Sequence, residues 1–89
     1  MQLDNWSKFS KTQQIGAIGA EIMRAKNWQE KDKDKFLSAI ERTLKLVDLS
    51  IDDIKWRNNI FMLFTLRDEL AKFYAGIAKN KIERLYNAI

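Results

Sequence analysis

The residue whose type and position most invite chemistry is Arg67, in the stretch FTLRDELAKFY at 64–74. Counted at 100° per residue it falls between Ile60 and Leu63 on one side and Ala71 and Tyr74 on the other, near the middle of an apolar helical stripe. A guanidinium there keeps its proton, so it needs an acidic partner or a route to water. Glu21, on the flank of the first helix, and Asp48, at the edge of the second, are the candidate partners. The expectation is a structural pair that fixes helix register and pins the third helix to the first, or a side chain that snorkels to the bundle surface. The functional alternative places Arg67 and Glu21, with Arg24 and Trp56, around a polar pocket that receives an anionic ligand or a partner's carboxylate.

Little other chemistry is available. The 89 residues include no His and no Cys, which removes His/Cys zinc sites, Ser–His and Cys–His nucleophile pairs and a histidine base. A di-metal bundle needs Glu-x-x-His pairs, leaving only Glu21, Glu41 and Asp48 as a weak ligand set. Asp52 and Asp53 read as helix caps, since the spacing of a calcium loop is missing. The glycines at 16 and 19 sit inside a helical pattern and do not follow a strand, so they form no nucleotide loop. No enzyme activity, metal or cofactor is expected.

Composition bounds the rest. An apolar content of 46% with 31% charged residues describes one small globular domain, and the lack of Pro with only three Gly favours helices. The formal charge of +4 invites a nucleic-acid reading. Signs alternate along QEKDKDK and IERTLK, however, as on a solvated helix face. The local basic excess is C-terminal, at Lys72, Lys79, Lys81 and Arg84, and these are the candidate nucleic-acid contacts. The start of the chain does not read as a signal peptide and no apolar run is long enough to span a membrane, so a soluble, cytoplasmic protein is the expectation.

The elements that position these residues follow from caps and periodicity. A leader over about 1–9 carries Leu3, Trp6 and Phe9, expected to pack over the bundle or to form a docking patch. Ser10 and Gln13 form a capping box that opens a helix over about 10–28, with Ile15, Ile18, Ile22 and Ala25 inward. Its glycines predict close approach by a neighbouring helix. Asp32 or Asp34 caps a second helix over about 33–49, with Phe36, Ile40, Leu44 and Val47 inward. A third helix over about 53–75, capped by Ser50 or Asp52, presents Trp56, Ile60, Leu63, Leu70 and Tyr74, widened by Phe64, Leu66, Phe73 and Ile77. Gly76 suits the residue just beyond it, and a short last helix covers about 78–88. The fold class is all-α: a small antiparallel bundle of three long helices and a short C-terminal one.

The stretches WSKFSKTQQIGAIGAEIMRA (6–25), LVDLSIDDIKWRNNI (46–60) and LRDELAKFYAG (66–76) resemble a family of small, uncharacterised all-helical proteins of bacteria and archaea with no assigned activity. The resemblance covers most of the chain as an overall pattern. It implies a helix start at Ile54, where relatives carry Pro, and it supports the fold while assigning no function.

The functional expectation is a non-catalytic helical module that binds a protein partner or a second copy of itself. Trp6, Trp28, Phe61 and Met62 are the candidate interface, because they exceed one apolar stripe per helix and aromatic surface is enriched at interfaces. Nucleic-acid binding through the C-terminal basic residues is the alternative.

Overall fold

The structure, a computed structural model, describes residues 3–89 by backbone and 5–89 with side chains; the packing role expected of Leu3 lies outside the described residues. An N-terminal 3-10 helix, Leu3–Lys8, leads into α1, Lys11–Trp28. Then follow α2, Lys33–Ile51, a middle 3-10 helix, Ile54–Asn59, α3, Ile60–Tyr74, and α4, Glu83–Ala88. The described residues contain no strand. This is a small all-α bundle: α2 packs against both α1 and α3, and α4 lies on α1.

The first two helices begin where their caps dictate. Ser10 Oγ accepts from the Gln13 amide at 3.1 Å while Gln13 Oε1 accepts from the Ser10 amide at 2.9 Å, so two otherwise orphaned donors are satisfied reciprocally. Asp32 caps α2 by accepting from the Lys35 amide at 3.1 Å. Helix α3 stops at Gly76, whose φ of 77° is left-handed. The Ile77 amide donates to the Lys72 carbonyl and the Gly76 amide to that of Phe73, a bond pair that closes the end of a helix.

Two expected boundaries are corrected. The third helix does not run uninterrupted from 53: its first six residues are a 3-10 helix, and the cap is neither Ser50 nor Asp52. Ser50 is buried inside α2, and Asp53 caps the new segment by accepting from the Lys55 amide at 3.1 Å. The fourth helix starts at Glu83, not near 78, because the chain before it is held against the end of α1. Gln29 fixes that approach by donating to the Asn80 carbonyl and accepting from the Ile82 amide, both at 2.8 Å. A helical N-terminus at 78 would need those groups for its own ladder.

The core gathers Ile18, Ile22 and Ala25 from α1 with Ala39, Ile40, Leu46 and Val47 from α2 and Leu63, Leu66 and Leu70 from α3. Trp6 closes one end and Ile82 and Leu85 seal the α4 side. Leu44 and Ile15, expected inward, pack against it and are partly buried. Tyr74, expected in the α3 stripe, and Phe64 and Ile77, expected to widen it, are exposed.

The glycines of α1 divide by role. A Cβ on Gly19 would stand 3.0 Å from Tyr86 Cε2, so this glycine makes room for α4; a Cβ on Gly16 would meet nothing within 4 Å. Gly16→Ala is expected to raise the unfolding free energy by about 0.5–1 kcal/mol, the propensity gain in a helix. Gly19→Ala should gain distinctly less or lose stability, because the Tyr86 ring must move. Urea melts of the two variants check this, and equal stabilisation would contradict the contact.

Candidate functional site

Arg67 does not sit in the core. Its side chain is 50% exposed and its Nε donates to Asp48 Oδ1 at 2.6 Å; Asp48 itself is 51% exposed. The hydrogen bond it donates to Asp48 pushes the guanidinium pKa further up, so the charge is permanent. Of its two candidate partners Arg67 takes Asp48 and not Glu21, so the expected pinning to the first helix is corrected: Arg67 clips α3 to α2, not to α1. One turn-pair away, Tyr74 Oη donates to Glu41 Oε1 at 2.6 Å, and that bond raises the Tyr74 pKa. Residues 41 and 48 on α2 thus meet 74 and 67 on α3, seven apart on each helix, as antiparallel neighbours in register must.

The buried charge is Glu21. Its side chain is only 9% exposed, and both oxygens are answered: Arg24 Nη1 donates to Oε1 and Arg42 Nε to Oε2, each at 2.7 Å. The arrangement is the inverse of the expected one, an interior acid held by two half-exposed cations. Each arginine keeps its outer edge in water, which spares the desolvation cost of a buried pair. Arg67 and Trp56 take no part, so the expected pocket of Arg67, Glu21, Arg24 and Trp56 does not form.

Trp56 belongs to a second polar cluster that sequence reading missed. The fully buried Gln14 accepts at Oε1 from Trp56 Nε1 and donates from Nε2 to the Trp6 carbonyl at 2.8 Å and to Asp53 Oδ2 at 3.3 Å. Trp6 Nε1 donates to Ser50 Oγ at 3.1 Å, and that hydroxyl donates to the Leu46 carbonyl at 2.8 Å. One amide thus joins both 3-10 helices to α1, and the Trp6–Ser50 bond ties in α2. The missed signal was spacing: Gln14, Ile18 and Ile22 recur every four residues, so Gln14 shares the inward face.

Asp53 completes this cluster. The Lys55 ammonium donates to Asp53 Oδ2 at 2.6 Å, and with the Lys55 and Gln14 donors it holds the carboxyl below the usual aspartate value, against the opposing effect of burial. A depressed folded pKa means a contribution present above the unfolded value, about 3.9, and lost as pH falls through the folded one. Asp53→Asn should therefore flatten the fall in urea midpoint between pH 5 and lower pH. A variant whose acid limb matches the wild type would contradict this assignment.

The candidate interface residues separate. Trp6 is buried in the polar cluster, and Trp28 is partly buried beneath the Lys35 ammonium, 4.2 Å from its ring centroid. Met62 packs partly against the core. Of the four, Phe61 alone stands in solvent, 83% exposed. On the same face of α3 lie Phe64, 45% exposed, and the exposed Asp68 and Ala71, while Ile54 of the middle 3-10 helix, 74% exposed, lies with Arg57 beside Ile51 and Ile60. Positions 61, 64, 68 and 71 repeat at three and four residues and so share one α-helical face; 54 and 57 align in a 3-10 turn. Two grooves flank α4, one of about 380 Å3 beside Gly16, Gly19 and Tyr86 and one of about 320 Å3 beside Phe61, Met62 and Leu85. The first is lined by no charged side chain.

Among the described residues, two of the four basic candidates are paired with acids and two are not. Lys72 pairs with Glu69 at 3.3 Å and Lys81 with Glu30 at 3.1 Å, while Lys79 and Arg84 are exposed in the C-terminal segment. Among the described residues no group of three or more acidic side chains could hold a metal ion, and no helix is long and apolar enough to cross a membrane.

Fold and surface together define a small all-α bundle with one aromatic helix face left uncovered. Comparison with protein families, with curated proteins and with solved structures finds no match.

Proposed function

We propose that the protein is a non-catalytic helical interaction module that associates with a second copy of itself through the outer face of α3. The observation that carries this reading is Phe61, a large aromatic 83% exposed in a helix whose Phe64, 45% exposed, is uncovered on the same face. Burying one such ring is worth about 2–3 kcal/mol, so a surface that clusters them gains most by meeting apolar surface. A second copy is the favoured occupant because the exposed rings of Phe61 and Phe64 can each meet a matching ring of the other copy across a twofold axis.

The outer face of α3 is about 22 Å long and one helix wide, and so buries on the order of 300 Å2 per chain, short of the about 800 Å2 of a stable complex. The dimer is accordingly weak, in the range of tens of micromolar, and responds to concentration. Sedimentation equilibrium from about 10 μM to 1 mM should show the average mass climbing from one chain towards two; a single chain mass throughout would end the self-association reading.

A cytoplasmic setting belongs to the same proposal. Nucleic-acid binding through Lys72, Lys79, Lys81 and Arg84 has less support, since two of the four are already paired with acids. It predicts binding to mixed DNA or RNA that weakens steeply with salt, and silence in a low-salt titration counts against it.

A further inference from the structure

The geometry points to a carboxylate-binding site on the seam between α1 and α2, in which Arg24 and Arg42, both held by Glu21, together grip the carboxylate of an acidic peptide or of a free organic acid.

Two contacts place the seam. Arg42 Nε donates to Glu21 Oε2 at 2.7 Å, and the Lys35 ammonium lies 4.2 Å from the centroid of the Trp28 ring. Positions 21 and 28 of α1 thus face 42 and 35 of α2, two turns apart on each antiparallel helix, with Arg24 bonded to Glu21 on the same edge. Charge does not balance there. The stretches 21–28 and 35–42 hold two acids, Glu21 and Glu41, and Glu41 is turned to α3, where it accepts from Tyr74. Glu21 is left to answer both arginines, so the triad carries one uncompensated positive charge. A single arginine can pair both oxygens of a carboxylate, which makes the second surplus to that task.

The unspent donors fit a second carboxylate. A guanidinium offers five N–H groups in a fixed fork, and among the described residues each of these two donates to Glu21 alone. Arg24 bonds through Nη1, which leaves its Nε and Nη2 edge whole. Arg42 bonds through Nε, which leaves its Nη1 and Nη2 edge whole. Each keeps a two-donor edge of the kind that takes a carboxylate, and both side chains reach water, at 55% and 49% exposure. Glu21, buried and bonded on both oxygens, holds the two groups in place, so a ligand need not itself order two long side chains. A monoanion neutralises the triad, whereas a phosphate with its charge of about −1.5 to −2 overshoots it.

The test is a titration of the full chain at low ionic strength, followed by the side-chain N–H signals of Arg24 and Arg42 in nitrogen–proton correlation spectra. Sodium acetate and a blocked tri-glutamate peptide are the carboxylate probes, with sodium chloride and inorganic phosphate at matched ionic strength beside them. The carboxylate probes are expected to shift both arginine signals saturably, chloride to leave them in place, and phosphate to bind no more tightly than acetate. A peptide bound about tenfold tighter than acetate puts the carboxylate on a partner chain, and equal affinity per carboxylate puts it on a free acid; both bear out the site. Arg24→Lys keeps a cation beside Glu21 but loses the fork, and is expected to weaken both probes by about fivefold with an unchanged thermal melt. Should that melt fall, Arg42→Lys repeats the comparison, and the wild-type titration decides alone if neither variant folds. Shifts that chloride reproduces, tighter binding of phosphate, or a lysine variant that binds as well as the wild type would overturn the assignment.

Discussion

Gln14→Ala lowers the unfolding free energy by about 2–4 kcal/mol, a large share of the about 5–15 kcal/mol that holds a domain together. The side chain is fully buried and joins three elements. Its loss orphans the Trp56 indole N–H in the interior, an omission that costs about 1–3 kcal/mol by itself. It also strips a partner from the Trp6 carbonyl and leaves a void beneath the two tryptophans. Because Gln14 anchors both 3-10 helices, the damage falls on the end of the bundle built by Trp6, Trp56 and Asp53. Urea denaturation followed by tryptophan fluorescence reads it directly, since two of the three indoles lie in the cluster. A loss below about 1 kcal/mol would show that the network is replaceable by water.

Phe61→Glu abolishes self-association and leaves the fold intact. The ring contributes nothing to the core of its own chain at 83% exposure, so the melt of the variant should match or slightly exceed that of the wild type. In the dimer the ring is at the centre, where apolar burial weighs most, and its replacement by a carboxylate raises Kd by about 30-fold or more. Starting from tens of micromolar, the variant is monomeric at every practical concentration. A variant that still dimerises would place the interface elsewhere, with the grooves beside α4 the next surfaces to examine.

These two residues mark how far the sequence could be read. The helix starts at Ser10 and Asp32 were legible because a cap is a local signal, written in side chains that satisfy their own backbone. Phe61 was legible as an aromatic off the main stripe. Arg67 was misplaced for a reason that the structure makes explicit. The residues that flank it on the stripe, Ile60, Ala71 and Tyr74, are not core: the buried positions of α3 are Leu63, Leu66, Leu70 and Phe73, whose common direction lies about 80° from Arg67 at 100° per residue. Phe64 and Tyr74 lie off that direction too and are exposed. Gln14 and Ser50 are buried although polar: Gln14 gives no signal but its helical spacing from Ile18, and Ser50, expected as a cap, sits instead inside α2. The Glu21 cluster was half legible: the acid and Arg24 were named, but Arg42 comes from α2, and no local pattern brings the two helices together.

The uncovered aromatic strip is the feature on which the functional account turns, and amide chemical shifts of the wild-type chain between about 10 μM and 1 mM interrogate it residue by residue. The account predicts progressive shifts confined to residues 54–75, largest around Phe61 and Phe64 and negligible on the outer surface of α1. Spectra that do not change across that range, or changes centred on α1 and α2, would contradict it.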